Sequence, residues 1–231
     1  VSHQRNWHAC TVTGSSVRAV DVPVLVFARR PRPGVKKRLA RTVGPAYACR
    51  VYARLLARTL REVGRQGFHS RVLMAAQAGD ADWFAARYGR QGWRVRVQSR
   101  GALGVRMRRA MARELHRGRP AILIGSDVVD IDGNDIWHAA VLLSEGQQAV
   151  LGPVADGGYW LLGLAQPADE VFADLPWSSA RVLEQTQRIF AKSGVSPALL
   201  PVRHDIDHAR DLQFRRLPAN ASHWRTRRDR P

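Results

Sequence analysis

From residue 22 onward, short apolar runs alternate with longer amphipathic stretches, and this alternation restricts the fold more than any other feature of the chain. Residues 22–28, VPVLVFA, form a brief apolar run closed by the turn-prone RRPRPG, as expected of a buried strand. In residues 46–67, Val51, Leu55, Leu56, Thr59, Leu60 and Val63 fall on one helical face, with Gly64 or Gly67 available to end the helix. SRVLMAA (70–76) predicts a strand, DADWFAARYG (80–89) a helix opened by Asp80, and WRVRVQ (93–98) an alternating strand. Leu103, Met107, Met111 and Leu115 recur every four residues and predict an amphipathic helix over 102–117. AILIG (121–125) predicts a strand and GNDIWHAAVLLSEG (133–146) a helix, while QAVLGPV (148–154) and GYWLLGL (158–164) predict two more strands. A helix capped by Ser178 or Ser179, a strand in SPALLPV (196–202) and a short helix in 208–217 complete the series. Strands alternating with helices imply an α/β fold, with three layers around a mostly parallel sheet.

The chain length of 231 residues suits one core. Residues 1–20 mix polar types without a period and read as a loose N-terminal extension, 21–217 as the folded domain, and 218–231 as a basic C-terminal tail. No stretch approaches the ~20 apolar residues of a membrane span, and no apolar leader precedes Val22, so the expected setting is the cytoplasm, with no membrane partner. Cys10 and Cys49 show no metal or redox spacing. The net charge of +18 is almost all arginine, since the only lysines are Lys36, Lys37 and Lys192. Such a surface is either simply solvated or attracts an anionic ligand. The arginines are spread from Arg5 to Arg230 rather than gathered in a block, which argues against nucleic acid as the partner.

In open α/β sheets, ligands sit beyond the carboxyl ends of the strands, and four polar clusters fall at such ends. The first, RRPRPGVKKRLA (29–40), offers Arg29, Lys36 and Arg38 to phosphate oxygens. It lacks the Walker-type G-x-x-x-x-G-K-[ST] pattern, and a plain basic surface loop is the competing reading. The second, SDVVD (126–130), follows the apolar AILIG and presents Asp127 and Asp130 to a hard cation, directly or through its waters. EF-hand spacing fails, because Val128 and Ala139 stand where carboxylates are required, and Asp132 and Asp135 are better placed to cap the next helix. The third, ADGG (155–158), brings Gly157 and Gly158 as close-approach backbone and Asp156 as acceptor or base, or makes an ordinary hairpin turn. The fourth, RHDID (203–207), offers Asp205 and Asp207, with His204 or His208 nearby, as metal ligands or an N-cap. Trp177 adds a flat apolar surface for a base or sugar ring, or a core side chain.

The ordered set VFARRPRPGVKKRLA, GALGVRM, LIGSDVVDI, GPVADGGYWLLGL, FADLPWSSARVLEQT and DIDHARDL resembles a bacterial family of GT-A-like glycosyltransferases, some associated with arsenosugar biosynthesis. That family is similar to the phospholactate and molybdenum-cofactor guanylyltransferases. The resemblance spans about residues 22–215 and implies a nucleotide-diphospho-sugar transferase fold of GT-A type. It implies a metal-dependent transfer from a nucleotide sugar to a small-molecule acceptor, with Mg²⁺ or Mn²⁺ as cofactor. The alternatives are a nucleotidylyltransferase, which takes an NTP and releases pyrophosphate, and a catalytically degenerate protein that binds nucleotides or nucleic acid. By resemblance, Lys36 and Arg38 hold nucleotide phosphates, Asp127 anchors the metal, Asp207 lies near it, and the DGG segment lines the acceptor or sugar pocket. Metal ligation is thus expected of Asp127, Asp130 and Asp207, and catalysis of Asp127 and Asp156. The chain departs from the family pattern at Ala102 and Val105, where acids are usual, near Val129, where proline is usual, and in a Lys36 loop one residue shorter.

Overall fold

The computed structural model describes residues 21–173, 175–177 and 179–216. The expectations for residues 1–20, for Ser178 and for the tail from 217 onward lie outside the described residues. Strands β1 (Val24–Ala28), β2 (Arg71–Ala75), β3 (Arg94–Val97), β4 (Ala121–Ile124), β5 (Ala149–Pro153), β6 (Tyr159–Leu164) and β7 (Ala198–Leu199) form one sheet. Its order is β3-β2-β1-β4-β6-β5-β7. Only β6 runs against its neighbours; the other strands share one direction. The sheet is therefore mostly parallel, as the alternation predicts.

The helices are α1 (Lys37–Val43), α2 (Pro45–Arg65), α3 (Ala78–Tyr88), α4 (Leu103–Leu115), α5 (Gly133–Ser144) and α6 (Val182–Lys192). Two hydrophobic clusters divide the strand side chains by parity. Val24, Val26, Leu73, Ile122 and Ile124 face α2, α3 and α5, where Leu56, Phe84 and Ile136 meet them. Leu25, Val72, Leu123 and Leu162 face α4 and α6, through Met107, Met111 and Phe190. Burying each such side chain is worth ~1.5–3 kcal/mol, and because both faces are covered, the strands read as continuous apolar runs rather than alternating ones.

Several local expectations shift. Helix α1 arises inside what reads in sequence as a loop; it is one short turn pair whose single buried residue is Leu39, too little for a period to show. Helix α3 begins before Asp80, which lies buried in its first turn and faces Arg32 at 3.4 Å. Helix α6 begins after Ser179, whose Oγ accepts only from the Arg181 N–H at 3.3 Å in the preceding turn. Residues 209–216 form a 3-10 helix. Asp132 caps α5 as expected, accepting from the Asn134 N–H at 2.9 Å.

Candidate functional site

The carboxyl ends of β1, β4, β5 and β7 open onto one cavity of about 590 Å³. Arg29, Lys36 and Arg38 reach it after β1, Ser126 and Asp127 after β4, Asp156 and Gly158 between β5 and β6, and Asp205 and Asp207 after β7. A larger, shallower concavity of about 720 Å³ lies at the opposite ends of the strands, against Arg71 and Trp93, and none of the expected site residues lines it.

A small apolar cluster holds the acidic wall in place. Leu39 of α1 packs with Val51 and Leu55 of α2, with Val129 after β4 and with Ile206 after β7. Residues 127–129 and 204–206 are stitched by backbone: the Val129 N–H donates to His204 O at 2.8 Å and the Ile206 N–H to Asp127 O at 3.3 Å. This packing brings Lys36 between Asp127 and Asp207, with Nζ at 3.1 Å from one carboxylate and 2.8 Å from the other. The Lys36 side chain is 5% exposed, and its backbone is left-handed at φ 49°, alone among the described non-glycine residues. A lysine held there carries ~1–3 kcal/mol of local strain. Burial alone would lower the Lys36 pKa, but the charges of Asp127 and Asp207 hold it above the ordinary lysine range. Asp207 is opposed by burial too, yet Lys36 and Arg38, the latter at 3.3 Å, keep it below the usual carboxylate range.

Asp205 behaves differently. Burial first, then the charges of Asp156 and Asp207, push its carboxyl up to about 7. Four carboxylates therefore crowd one wall around a single buried ammonium. Tyr52 backs this wall: its hydroxyl accepts from the Arg29 N–H at 2.9 Å and shares a 3.0 Å hydrogen bond with Ser126 Oγ, and burial with the nearby Asp127 charge pushes it up to about 12.

The opposite wall is mixed. Trp177 meets Tyr159 edge-on at 6.2 Å and lies against the first turn of α4, where a side chain on Gly104 would collide with its indole. Leu103, Arg106, Met107 and Gln98 complete this side.

Of the expected residues, the structure brings Arg29, Lys36, Arg38, Asp127, Asp156, Gly158, Trp177 and Asp207 to the cavity. Asp130 stands apart. It is 3% exposed, it accepts from the His204 N–H at 2.8 Å through one oxygen, and its other oxygen lies 3.0 Å from His204 Nδ1. Those contacts tie the two stitched segments together and leave Asp130 outside the lining. Gly157 also does not line the cavity. It turns the chain at φ 91° with its Cα against the Ala180 backbone, and its carbonyl accepts from the Leu183 N–H at 3.0 Å, joining the β5–β6 turn to the start of α6. Sequence reasoning passed over Tyr52, Gln98 and Arg106. Arg106 left one readable signal, an arginine on the face that also carries Leu103 and Met107.

Among the described residues, no three His, Cys, Asp or Glu side chains form a metal cage. The donor set nonetheless suits a hard divalent ion. Such ions take carboxylate oxygens, and Mg²⁺ needs only one or two of them beside waters and substrate phosphates. Burial is the largest cause of the upward push on Asp205, and the charges of Asp156, Asp207 and Asp127 add to it against the opposing charge of Lys36. No helix among the described residues is long and apolar enough to cross a membrane.

Comparison with known proteins adds three findings. A bacterial family described as "uncharacterized protein conserved in bacteria (DUF2064)" matches residues 59–179. No curated protein matches the sequence. Among solved structures, a Desulfovibrio desulfuricans G20 protein assigned as a nucleotide-diphospho-sugar transferase aligns at a TM-score of 0.75 and 28% identity, over 87% of this chain and 93% of that one. A cytidylyltransferase from Leptospira borgpetersenii aligns at 0.55 and 14% identity, over 84% of each chain. Mycobacterium tuberculosis glucosyl-3-phosphoglycerate synthase, solved with Mn²⁺, UDP-glucose and glycerol 3-phosphate, aligns at 0.50 and 12% identity, over 90% of this chain and 81% of that one. The fold is that of the nucleotide-diphospho-sugar transferases.

Proposed function

The chain belongs to this bacterial family, and we propose that it is a metal-dependent enzyme transferring a sugar from a nucleotide-diphospho-sugar to a small acceptor. The observation that carries this reading is the acidic wall: Asp127 and Asp207, delivered by two different strands, clasp one buried lysine at the mouth of a ligand-sized cavity. The likeness to the D. desulfuricans protein supports the same class of substrate.

In this reading Asp127 and Asp207 hold Mg²⁺ or Mn²⁺ with the substrate's phosphates. When bound, the ion neutralises charge on the departing nucleoside diphosphate. Lys36 keeps the two carboxylates paired and ionised, and Arg38 steadies Asp207 from the solvent side. Asp156, whose Oδ1 accepts from the Gly158 N–H at 3.0 Å, is oriented to take the proton of an acceptor hydroxyl. Trp177 and Tyr159 offer apolar ring surface to the sugar or base.

The test is a thermal-shift panel of nucleotides and nucleotide sugars with and without Mn²⁺, followed by identification of the released product. A ligand that binds only the folded protein raises its melting temperature by mass action. Stabilisation by a nucleotide sugar that depends on Mn²⁺, with nucleoside diphosphate released, supports the proposal. Release of pyrophosphate from an NTP would replace it with nucleotidylyl transfer, and a panel without any stabilising nucleotide would remove it.

A further inference from the structure

Arg29 and Arg106 enter the cavity without counter-charge. Arg29 follows β1, and Arg106 projects from the first turns of α4, which lies on the other face of the sheet from α1 and α2. Of the other basic groups at this rim, Arg32 faces Asp80, Lys36 is held by Asp127 and Asp207, Arg38 by Asp207 and Arg203 by Asp135, while Lys37 is exposed to solvent and makes no ion pair among the described residues. Among the described residues, no carboxylate pairs with Arg29 or Arg106. Arg106 Nη1 donates to the neutral Gln98 Oε1 at 2.6 Å, and its Nε is buried with no hydrogen-bond partner among the described residues. Gln98 is itself fixed, donating to Met74 O at 2.8 Å, so the Arg106 guanidinium is held in position by a rigid neutral neighbour. Burial and the nearby Arg29 charge both act against the ionised form of Arg106.

Two like charges converging on one cavity repel each other, and a structure tolerates that where an anion completes the arrangement. Without a bound cation the facing wall repels an anion, because Asp127, Asp156, Asp205 and Asp207 line it and Lys36 is already shared between two of them.

We propose that Arg29 and Arg106 form an anion subsite that takes a phosphoryl group of the substrate across the cavity from the acidic wall. The proposal rests on the reading of this cavity as a nucleotide-sugar site, and it names the side chains that orient the ligand there. A phosphoryl group offers several charged oxygens, so each guanidinium can donate to it without competing for the same lone pairs. The phosphoryl group is either the nucleotide's own or that of a phosphorylated acceptor, and both present the same chemistry to the two arginines.

The experiment is calorimetric titration of pyrophosphate, a series of nucleoside diphosphates, the matching nucleosides and a sugar phosphate into wild type, Arg29→Gln and Arg106→Gln. Arg188→Gln, on the exposed surface of α6, controls for loss of overall positive charge. Melting curves establish that each variant is folded. If Arg106→Gln is not, the exposed Arg29→Gln and the charge-keeping Arg106→Lys carry the comparison.

The expected result is binding of pyrophosphate and nucleoside diphosphates weakened about tenfold or more in both variants, with nucleosides and the control unaffected. Weakening confined to pyrophosphate and the sugar phosphate assigns the subsite to the acceptor and upholds it. Weakened pyrophosphate binding in a protein that takes no nucleotide also upholds the subsite, while removing the nucleotide reading. Phosphate ligands that bind both variants within about twofold of wild type, or that fail to bind wild type at all, overturn the proposal.

Discussion

Ala102→Asp should stabilise the protein, because Ala102 occupies the N-cap of α4 and leaves that position unused. Its backbone, at φ −60° and ψ 164°, already has the extended conformation of a capping residue, its side chain makes no cap hydrogen bond, and the first turn of α4 contains no acid. The residue is exposed, so a larger side chain meets no packing obstacle. An aspartate there can accept from the N–H groups of Gly104 or Val105, and its charge lies at the positive end of the helix dipole. A capping side chain in place of alanine is worth ~0.5–2 kcal/mol, and an anion at the first turn ~0.3–1 kcal/mol; the two overlap, so ~1–2 kcal/mol is the expected gain. For a domain of this size, 1 kcal/mol moves the melting temperature by ~2–4 °C, which calorimetry resolves easily. Ala102→Asn supplies the cap without the charge and should recover the larger share of the gain. The family resemblance suggests a different role, since acids are usual there at 102 and 105 and a missing acid would deprive a polar acceptor of hydrogen-bond partners. In the structure, α4 turns Leu103, Arg106 and Met107 to the cavity, and neither Ala102 nor Val105 lines it. A variant with an unchanged melting temperature but altered turnover would refute the capping argument and return position 102 to the site.

The remaining predictions concern the rim. Asp127→Asn should remain folded and lose Mn²⁺-dependent stabilisation by nucleotide; stabilisation equal to wild type would take Asp127 out of the metal site. Asp205 keeps its proton up to about 7 when folded, whereas an unfolded aspartate loses it near ~3.9. The folded state therefore binds more protons between those values, and its contribution to stability falls as pH rises through that window. Asp205→Asn should flatten the urea-midpoint profile between pH ~4 and ~7 relative to wild type, whereas parallel profiles would show that Asp205 titrates normally. Gly157→Ala should cost ~1–3 kcal/mol from backbone conformation alone and more from collision with the Ala180 backbone, while Gly158→Ala, which has ordinary φ, should be milder. Equal melting temperatures for the two variants would contradict that account.

The strands were legible because a sheet covered on both faces needs uninterrupted apolar runs, and VPVLVFA, SRVLMAA and AILIG supply them. The meeting of four polar clusters on one rim followed from strand direction alone. Side-chain commitments were less accessible. Asp127 and Asp130 look alike in sequence, yet the backbone pairing of Val128 with Asp205 sends one toward the cavity and the other into contact with His204. Helix α1 hid because one buried leucine makes no period. Arg106 hid because an unpaired charge is recognisable only once every neighbouring carboxylate has been placed.

The stitching of residues 200–207 to the rim has a consequence for how the molecule breathes. This segment is almost without regular structure, yet the amides of Leu200, Arg203 and Ile206 donate to Leu151, Pro153 and Asp127, while those of Val129 and Ala155 donate back to His204 and Arg203. Amides bonded this way across separate segments exchange with solvent only when the whole patch opens together. These five N–H groups should therefore exchange as one cooperative unit, slower than their irregular backbone suggests. Because the patch carries Asp127 at one seam and Asp207 just beyond the other, a ligand gripping both would slow all five at once, reporting occupancy of the site from amides that never touch it.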